Sequence, residues 1–292
     1  MLKVCSVIVC YNPDINALST LCERLTYNNS AIIIVDNTEK SYISGHMNYP
    51  GCTIIVLNEN TGIAHAQNIG IKNAIKNGAD AVVFFDQDSK VENDYLPLLL
   101  APLRAGEPKV VVPVLFDNVQ GYEFPSMRLN KFGFPVNIYR GNRSLPYDVD
   151  VITSSGSAAT AVTFDIAGPM DEDFFIDFVD TEWSLRCRKR NIPIQVVPTA
   201  IMKHTIGEKS INFGFTRGFI HGSARCYYQI RNCFLLFKKE NIPFLLAFKE
   251  MLSAFVHHLI LLGLVKNKAK YIKSYFLAIL HGVGGVVGKK QE

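Results

Sequence analysis

The 292-residue sequence holds a single tryptophan and seven cysteines, and none of the cysteines forms a CxxC pair. That leaves no zinc-binding signature. Thiols scattered mostly through apolar runs are expected to be buried and free, in a reducing compartment. The GxGxxG fingerprint is missing, which argues against a dinucleotide-binding oxidoreductase. Neither sign of charge dominates: 30 basic residues against 26 acidic give +4, too even to imply a nucleic-acid partner. The opening MLKVCSVIVCYNP lacks the longer apolar region and small-residue cleavage site of a signal peptide, so a cytoplasmic location is expected. Phe244 to Val265 is long enough to tempt a membrane-spanning reading, but Lys249, Glu250, His257 and His258 interrupt it. One charge at a bilayer centre costs about 2.5–3.5 kcal/mol.

What is present is a chain of 48% hydrophobic and 19% charged residues, suited to one large α/β domain. Short β-rich runs at Val4–Cys10, Ala31–Asp36, Thr53–Leu57 and Ala81–Asp86 alternate with helical patterns at Asn16–Leu25 and Ile63–Asn77. The alternation predicts a mostly parallel sheet with crossover helices, its ligand crevice at the carboxyl ends of the strands. Three runs end in polar residues, Tyr11-Asn12-Pro13, Asp36-Asn37-Thr38 and Asp86-Gln87-Asp88, whose side chains could converge there. Val110 to Ser155 is rich in Pro, Gly, Asn and aromatics and reads as short strands and loops. From Pro243 the pattern changes. Leu245, Phe248, Leu252, Phe255, Leu259 and Leu262 recur at helical spacing, then Lys266, Lys268, Lys270 and Lys273, then a second stripe through Ile272, Tyr275, Phe276, Ile279 and Val283. Apolar stripes beside lysines suit helices lying on an anionic membrane surface, or packing on the core or a second subunit.

Carboxylates carry the chemical signal. Asp86 and Asp88, in VVFFDQDS, offer hard oxygen ligands for Mg²⁺ or Mn²⁺, or else a helix cap and a solvated acid. Asp36 could accept from a pyrimidine N–H or a ribose hydroxyl, or cap a helix. Asn58 to Gly70 joins a polar loop to a helix with small residues on one face, which lets the helix approach a sheet or a nucleotide closely. Met170 to Arg186 sets five acids before Glu182 among aromatics. A carboxylate desolvated there is a candidate general base, and a capped helix with ion pairs is the alternative. Trp183 offers a flat face to a sugar ring or an ordinary core side chain. His204 could supply a third metal or diphosphate contact, and Arg231 a cation for phosphate, against structural roles for both.

In this order the motifs resemble inverting family 2 glycosyltransferases, and within them bacterial rhamnosyltransferases that use dTDP-L-rhamnose. The resemblance implies a GT-A fold, a Rossmann-like nucleotide-diphospho-sugar transferase architecture. Its catalytic domain would span 1–242, with a nucleotide-sugar half (1–109) and an acceptor half (110–242). A C-terminal helical segment, 243–292, would associate with the membrane or dimerise. VCSVIVCYNP, VDN, NTGIAHAQNIG and DQDS are similar to the family's nucleotide strand, base-binding site, loop-helix and metal motif. They imply donor contacts at Val9, Tyr11, Asp36, Asn60, Asn68, Asp86, Gln87 and Arg231, and a metal held by Asp88, Asp86 and His204. FIDFVDTEWSLR puts Val179 where many members have Glu and Asp180 where they have the catalytic Asp, as in the rhamnosyltransferase branch. Asp180 is then the base, with Asp177 as its competitor, and Asp177, Glu182 and Trp183 face the acceptor. The implied reaction is rhamnosyl transfer with inversion, on the cytoplasmic face of the inner membrane, to an undecaprenyl diphosphate-linked saccharide of O-antigen or capsule synthesis. A UDP-sugar donor or a non-catalytic nucleotide-sugar scaffold are the rival readings.

Overall fold

A computed structural model of the chain describes residues 2–43, 51–117, 121–203, 210–212, 217–219 and 221–291. The first half alternates strand and helix: β1 (Val4–Cys10), α1 (Ile15–Tyr27), β2 (Ala31–Asp36), β3 (Cys52–Val56), α2 (Ile63–Lys76), β4 (Ala81–Asp86), α3 (Tyr95–Leu100) and β5 (Val110–Asp117). Buried β-branched runs make the strands. In β1, Cys5 and Val7 point into the core layer shared with α2, and Ile8 and Cys10 into the layer shared with α1 and α3. A two-residue period with both faces apolar requires helices on both sides of the sheet. α1 starts where Asp14 accepts from the Asn16 and Ala17 amides, and buries Leu18, Leu21, Cys22 and Leu25. Each leucine fully buried in this way contributes about 1.5–3 kcal/mol.

The second half continues through short strands β6 (Tyr122–Glu123), β7 (Ser126–Leu129), β8 (Pro135–Ile138), β9 (Tyr147–Asp148) and β10 (Ala158–Thr160) to α4 (Ala161–Ala167), α5 (Val179–Lys189) and the long β11 (Ile194–Lys203). β12 (Ser210–Asn212) and β13 (Arg217–Phe219) form a small separate ladder. Among the described residues the main sheet runs β3-β2-β1-β4-β10-β5-β11-β9, with β6 on β5. Neighbours β3, β2, β1 and β4 are parallel, as are β5 and β11. β10 is inserted antiparallel between β4 and β5. This is the mixed, mostly parallel sheet the sequence predicts. α2 lies so close to β1 that a Cβ on Gly70 would stand 2.3 Å from Val7 Cγ1.

Three helices complete the chain: α6 (Ser223–Leu236), α7 (Phe244–Leu264) and α8 (Lys268–Gly284). The segment after 242 packs against α6. Tyr227 of α6 meets His281 of α8 at 2.7 Å, and the Val286 and Gly288 carbonyls accept from Arg231. Leu246, Ala247, His258 and Leu261 turn α7 toward the protein. Its other face and that of α8 expose Phe244, Phe248, Leu252, Leu259, Phe276 and Val283. By length and composition α7 could cross a membrane, and most of it is unburied.

Candidate active site

The parallel registers bring two acidic strand ends to opposite sides of β1. Asp36 pairs with Cys10, and Asp86 with Val9. The loops that follow are cross-tied. The Asn12 amide donates to Thr38 Oγ1 (2.9 Å), and the Tyr11 amide to Gln87 Oε1 (2.6 Å). Asn37 Oδ1 accepts from the Thr61 amide and hydroxyl, and Asn37 Nδ2 donates to Asn60 Oδ1. Asn60 Oδ1 also accepts from the Gly62 amide, so its carbonyl is engaged in holding this loop. Val9 lies half-buried beneath the crevice, and Tyr11 is exposed at its rim.

Asp36 is fully buried. Its Oδ1 accepts from the Thr38 amide at 3.1 Å, while Oδ2 has no partner among the described residues. A buried carboxylate oxygen without a donor is costly, and an N–H or O–H brought by a ligand would satisfy it. Across β1, Asp86 is half-buried and Asp88 exposed on a turn closed by the Ser89 amide on the Asp86 carbonyl. Ser89 Oγ and Ser155 Oγ accept from the Asp86 amide. Two carboxylates two residues apart at a crevice mouth fit Mg²⁺ or Mn²⁺, ions commonly held by one or two carboxylates together with substrate phosphates. Among the described residues no group of three or more metal-ligating side chains forms. His204 lies outside the described residues.

Asp180 stands in the first turn of α5, against a cavity of about 230 Å³ lined also by Val112, Met127, Ile152, Thr153 and Thr181. Burial pushes its carboxyl up to about 6, and nearby Asp177 adds to the rise. Backbone N–H groups oppose the shift: Ser154 donates to Oδ2 (3.2 Å) and Thr181 to Oδ1 (2.9 Å). Among the described residues no ammonium or guanidinium pairs with it. Asp177 differs, with both oxygens engaged by Arg225, the closest contact being 2.9 Å. A half-desolvated acid of this kind is suited to taking a proton near neutral pH.

The turn leading into α5 is strained: Phe175, Asp177 and Phe178 all have φ between 63° and 64°. Such residues persist only where the surroundings over-determine them. Asn232 Nδ2 donates to the carbonyls of Phe174, Ile176 and Asp177 at 2.7–3.1 Å, and Arg231 Nη2 to Phe174. From the other side the Ile63 amide donates to the Phe175 carbonyl at 2.8 Å. A Cβ on Gly62, itself at φ 90°, would lie 2.6 Å from that carbonyl and from the Phe175 ring.

Several residues singled out in the sequence are engaged within the protein. Arg231 is fully buried, with its guanidinium bonded to Asn232 and to the carbonyls of Phe174, Val286 and Gly288, so it is not aimed at a diphosphate. Asn68 uses both ends of its amide on Met170 and Glu172, bracing the acidic segment. Trp183 is a core residue, stacked on Phe164 and bonded to the Gly168 carbonyl. Glu182 is buried, paired twice with Arg186 and bonded by Asn241. Neither Trp183 nor Glu182 presents a face to an acceptor. Sequence reasoning missed Ser154, whose contribution is a backbone amide that no side-chain pattern marks. It also passed over the bracing by Gly62 and Asn232, which depends on contacts far apart in the chain.

Comparison with known proteins follows the same lines. A family model described as Glycosyl transferase family 2 matches residues 7–161. The dTDP-rhamnosyl transferase RfbF of Shigella flexneri is 35% identical over 287 residues, covering 98% of this chain and 97% of its own. Among solved structures, GalNAc-T7 with UDP, GalNAc and Mn²⁺ superposes with a TM-score of 0.58 at 15% identity, over 70% of this chain and 44% of that one. S. aureus TarS 1–349 in complex with UDP-GlcNAc gives 0.55 at 13%, over 98% and 84%. At such identities the structural likeness shows the fold, which is the GT-A arrangement.

Proposed function

This chain belongs to glycosyltransferase family 2, and on that premise we propose that it transfers L-rhamnose from dTDP-β-L-rhamnose to a lipid-linked saccharide, with inversion. One observation carries the donor: the near full-length similarity to a dTDP-rhamnosyl transferase. The unpartnered Oδ2 of Asp36 suits the N–H of a thymine or a ribose hydroxyl at the far end of the crevice. Mg²⁺ or Mn²⁺ held by Asp86 and Asp88 would supply charge neutralisation to the departing diphosphate. Asp180 takes the proton from the acceptor hydroxyl as its oxygen bonds to the anomeric carbon. The bond to dTDP breaks on the opposite face, giving an α-L-rhamnoside.

The same reading places the protein on the cytoplasmic face of the inner membrane, where a lipid-linked acceptor such as an O-antigen or capsule precursor would be met. The exposed apolar faces of α7 and α8 support it, joined by Lys266, Lys268, Lys270 and Lys273. Such a basic, apolar surface suits an anionic leaflet. The Lys249–Glu250 ion pair and buried His258 within α7 favour a helix lying in the interface over one that spans. Turnover of a panel of nucleotide sugars, with and without Mg²⁺ or Mn²⁺, tests the donor. Preference for a UDP-sugar would overturn the rhamnosyl assignment and leave the mechanism standing.

A further inference from the structure

A second cleft, of about 330 Å³, opens between the turn before α5 and the inner face of α7. Asp177, Phe178 and Thr181 form one wall, Gln229 of α6 the floor, and Glu250, Ser253, Ala254, His257 and His258 of α7 the other wall. Thr181 also lines the Asp180 cavity, so the two spaces meet at one side chain beside the base. The size falls within the range of small-molecule sites, roughly 300–1,000 Å³.

Two buried side-chain atoms on this lining, Gln229 Oε1 and His258 Nδ1, have no hydrogen-bond partner among the described residues. Burial, with neighbouring His257 and His221, pushes the His258 imidazole down to about 4, so it is neutral at working pH. A neutral imidazole nitrogen and an amide oxygen are the partners a hydroxyl group satisfies. Carboxylates on the lining are already compensated, Asp177 by Arg225 and Glu250 by Lys249. Among the described residues no lysine or arginine lines the cleft, so these offer no cation for a phosphate. Phe178 supplies an aromatic side chain beside these polar groups, a combination suited to the C–H face of a sugar ring.

We propose that this cleft is an acceptor subsite, holding through its hydroxyls the neutral saccharide unit next to the one that reacts at Asp180. The inference rests on the glycosyltransferase reading and deepens it. It gives α7 two roles, an apolar outer face at the membrane and a polar inner face that reads the acceptor, with the reducing-end lipid leaving along the outer side.

The test uses the full chain, loaded with dTDP, and saturation-transfer NMR titration of methyl α-L-rhamnoside, methyl β-D-galactoside and methyl N-acetyl-β-D-glucosaminide. At least one binds wild type. Ser253→Phe, which fills the cleft from an exposed helix position, weakens that binding by about tenfold, and Gln229→Leu by about fivefold. dTDP affinity, the check that the fold is intact, stays within about twofold of wild type in both variants. Binding undiminished by Ser253→Phe would overturn the subsite, as would failure of all three glycosides to bind wild type. Failure of dTDP itself to bind wild type would instead remove the proposed function, and the subsite with it.

Discussion

At Asp180 a desolvating wall and two backbone N–H groups act in opposite senses, and the wall wins, leaving a carboxyl near 6 rather than 3.8. The base form therefore fills as pH rises through about 6, and kcat/KM is expected to fall on the acid side of that value. A pH–rate profile flat down to pH 5 would contradict the assignment. Asp177→Asn is expected to cost less than Asp180→Asn, because its oxygens serve Arg225; removal of a general base costs about 10²–10⁴-fold. Equal losses in steady-state assays would reopen the choice between the two. Asp36, Asp86 and Asp180 were legible as candidates because each is a polar interruption of an apolar pattern. The roles of Arg231 and Trp183 stayed open in the sequence for a physical reason: the groups that hydrogen-bond the one and pack on the other are Val286, Gly288, Gly168 and Phe164, and sequence spacing carries no trace of such partners.

Elements position the base more than they build the crevice. α2 presses on the acidic segment through Ile63, His65 and Asn68, and α6 ties it from the opposite side through Asn232. Asn232→Ala takes the amide donor from the Ile176 and Asp177 carbonyls, leaves Phe174 to Arg231 alone among side chains, and frees a turn with three left-handed residues. The expected loss of stability is about 1–3 kcal/mol, seen by denaturant unfolding, with kcat falling more than donor affinity. Gly62→Ala should match it in direction, since the added Cβ meets the Phe175 carbonyl and ring. Wild-type stability and kcat in both variants would show that the turn holds itself. β1, β2 and β4 end at the positions the sequence marks because buried β-branched runs stop abruptly at polar residues. β10 was not foreseen: three residues inserted antiparallel between two parallel blocks leave no periodic signature.

On the scale of the molecule, the C-terminal helices complete the domain while leaving one apolar surface uncovered. Deleting residues 243–292 would strip Arg231 and Tyr227 of partners, so membrane binding is better tested in the whole chain. Phe248→Glu/Leu252→Glu/Phe276→Glu is expected to lower partitioning onto anionic vesicles by about tenfold or more, with the sedimentation coefficient unchanged. Unchanged vesicle binding, or a dimer falling to a monomer, would favour a subunit interface. The helical spacing of those stripes was readable from sequence, but which residues face α6 and which face outward depends on how α8 lies along α6.

Metal-assisted rhamnosyl transfer with Asp180 as base is tested by turnover of dTDP-L-rhamnose by wild type and Asp180→Asn, with Mg²⁺ or Mn²⁺ and with chelator. Metal-dependent turnover is expected in the wild type, dropping by about 10²–10⁴-fold in the variant. Undiminished turnover in Asp180→Asn would contradict it.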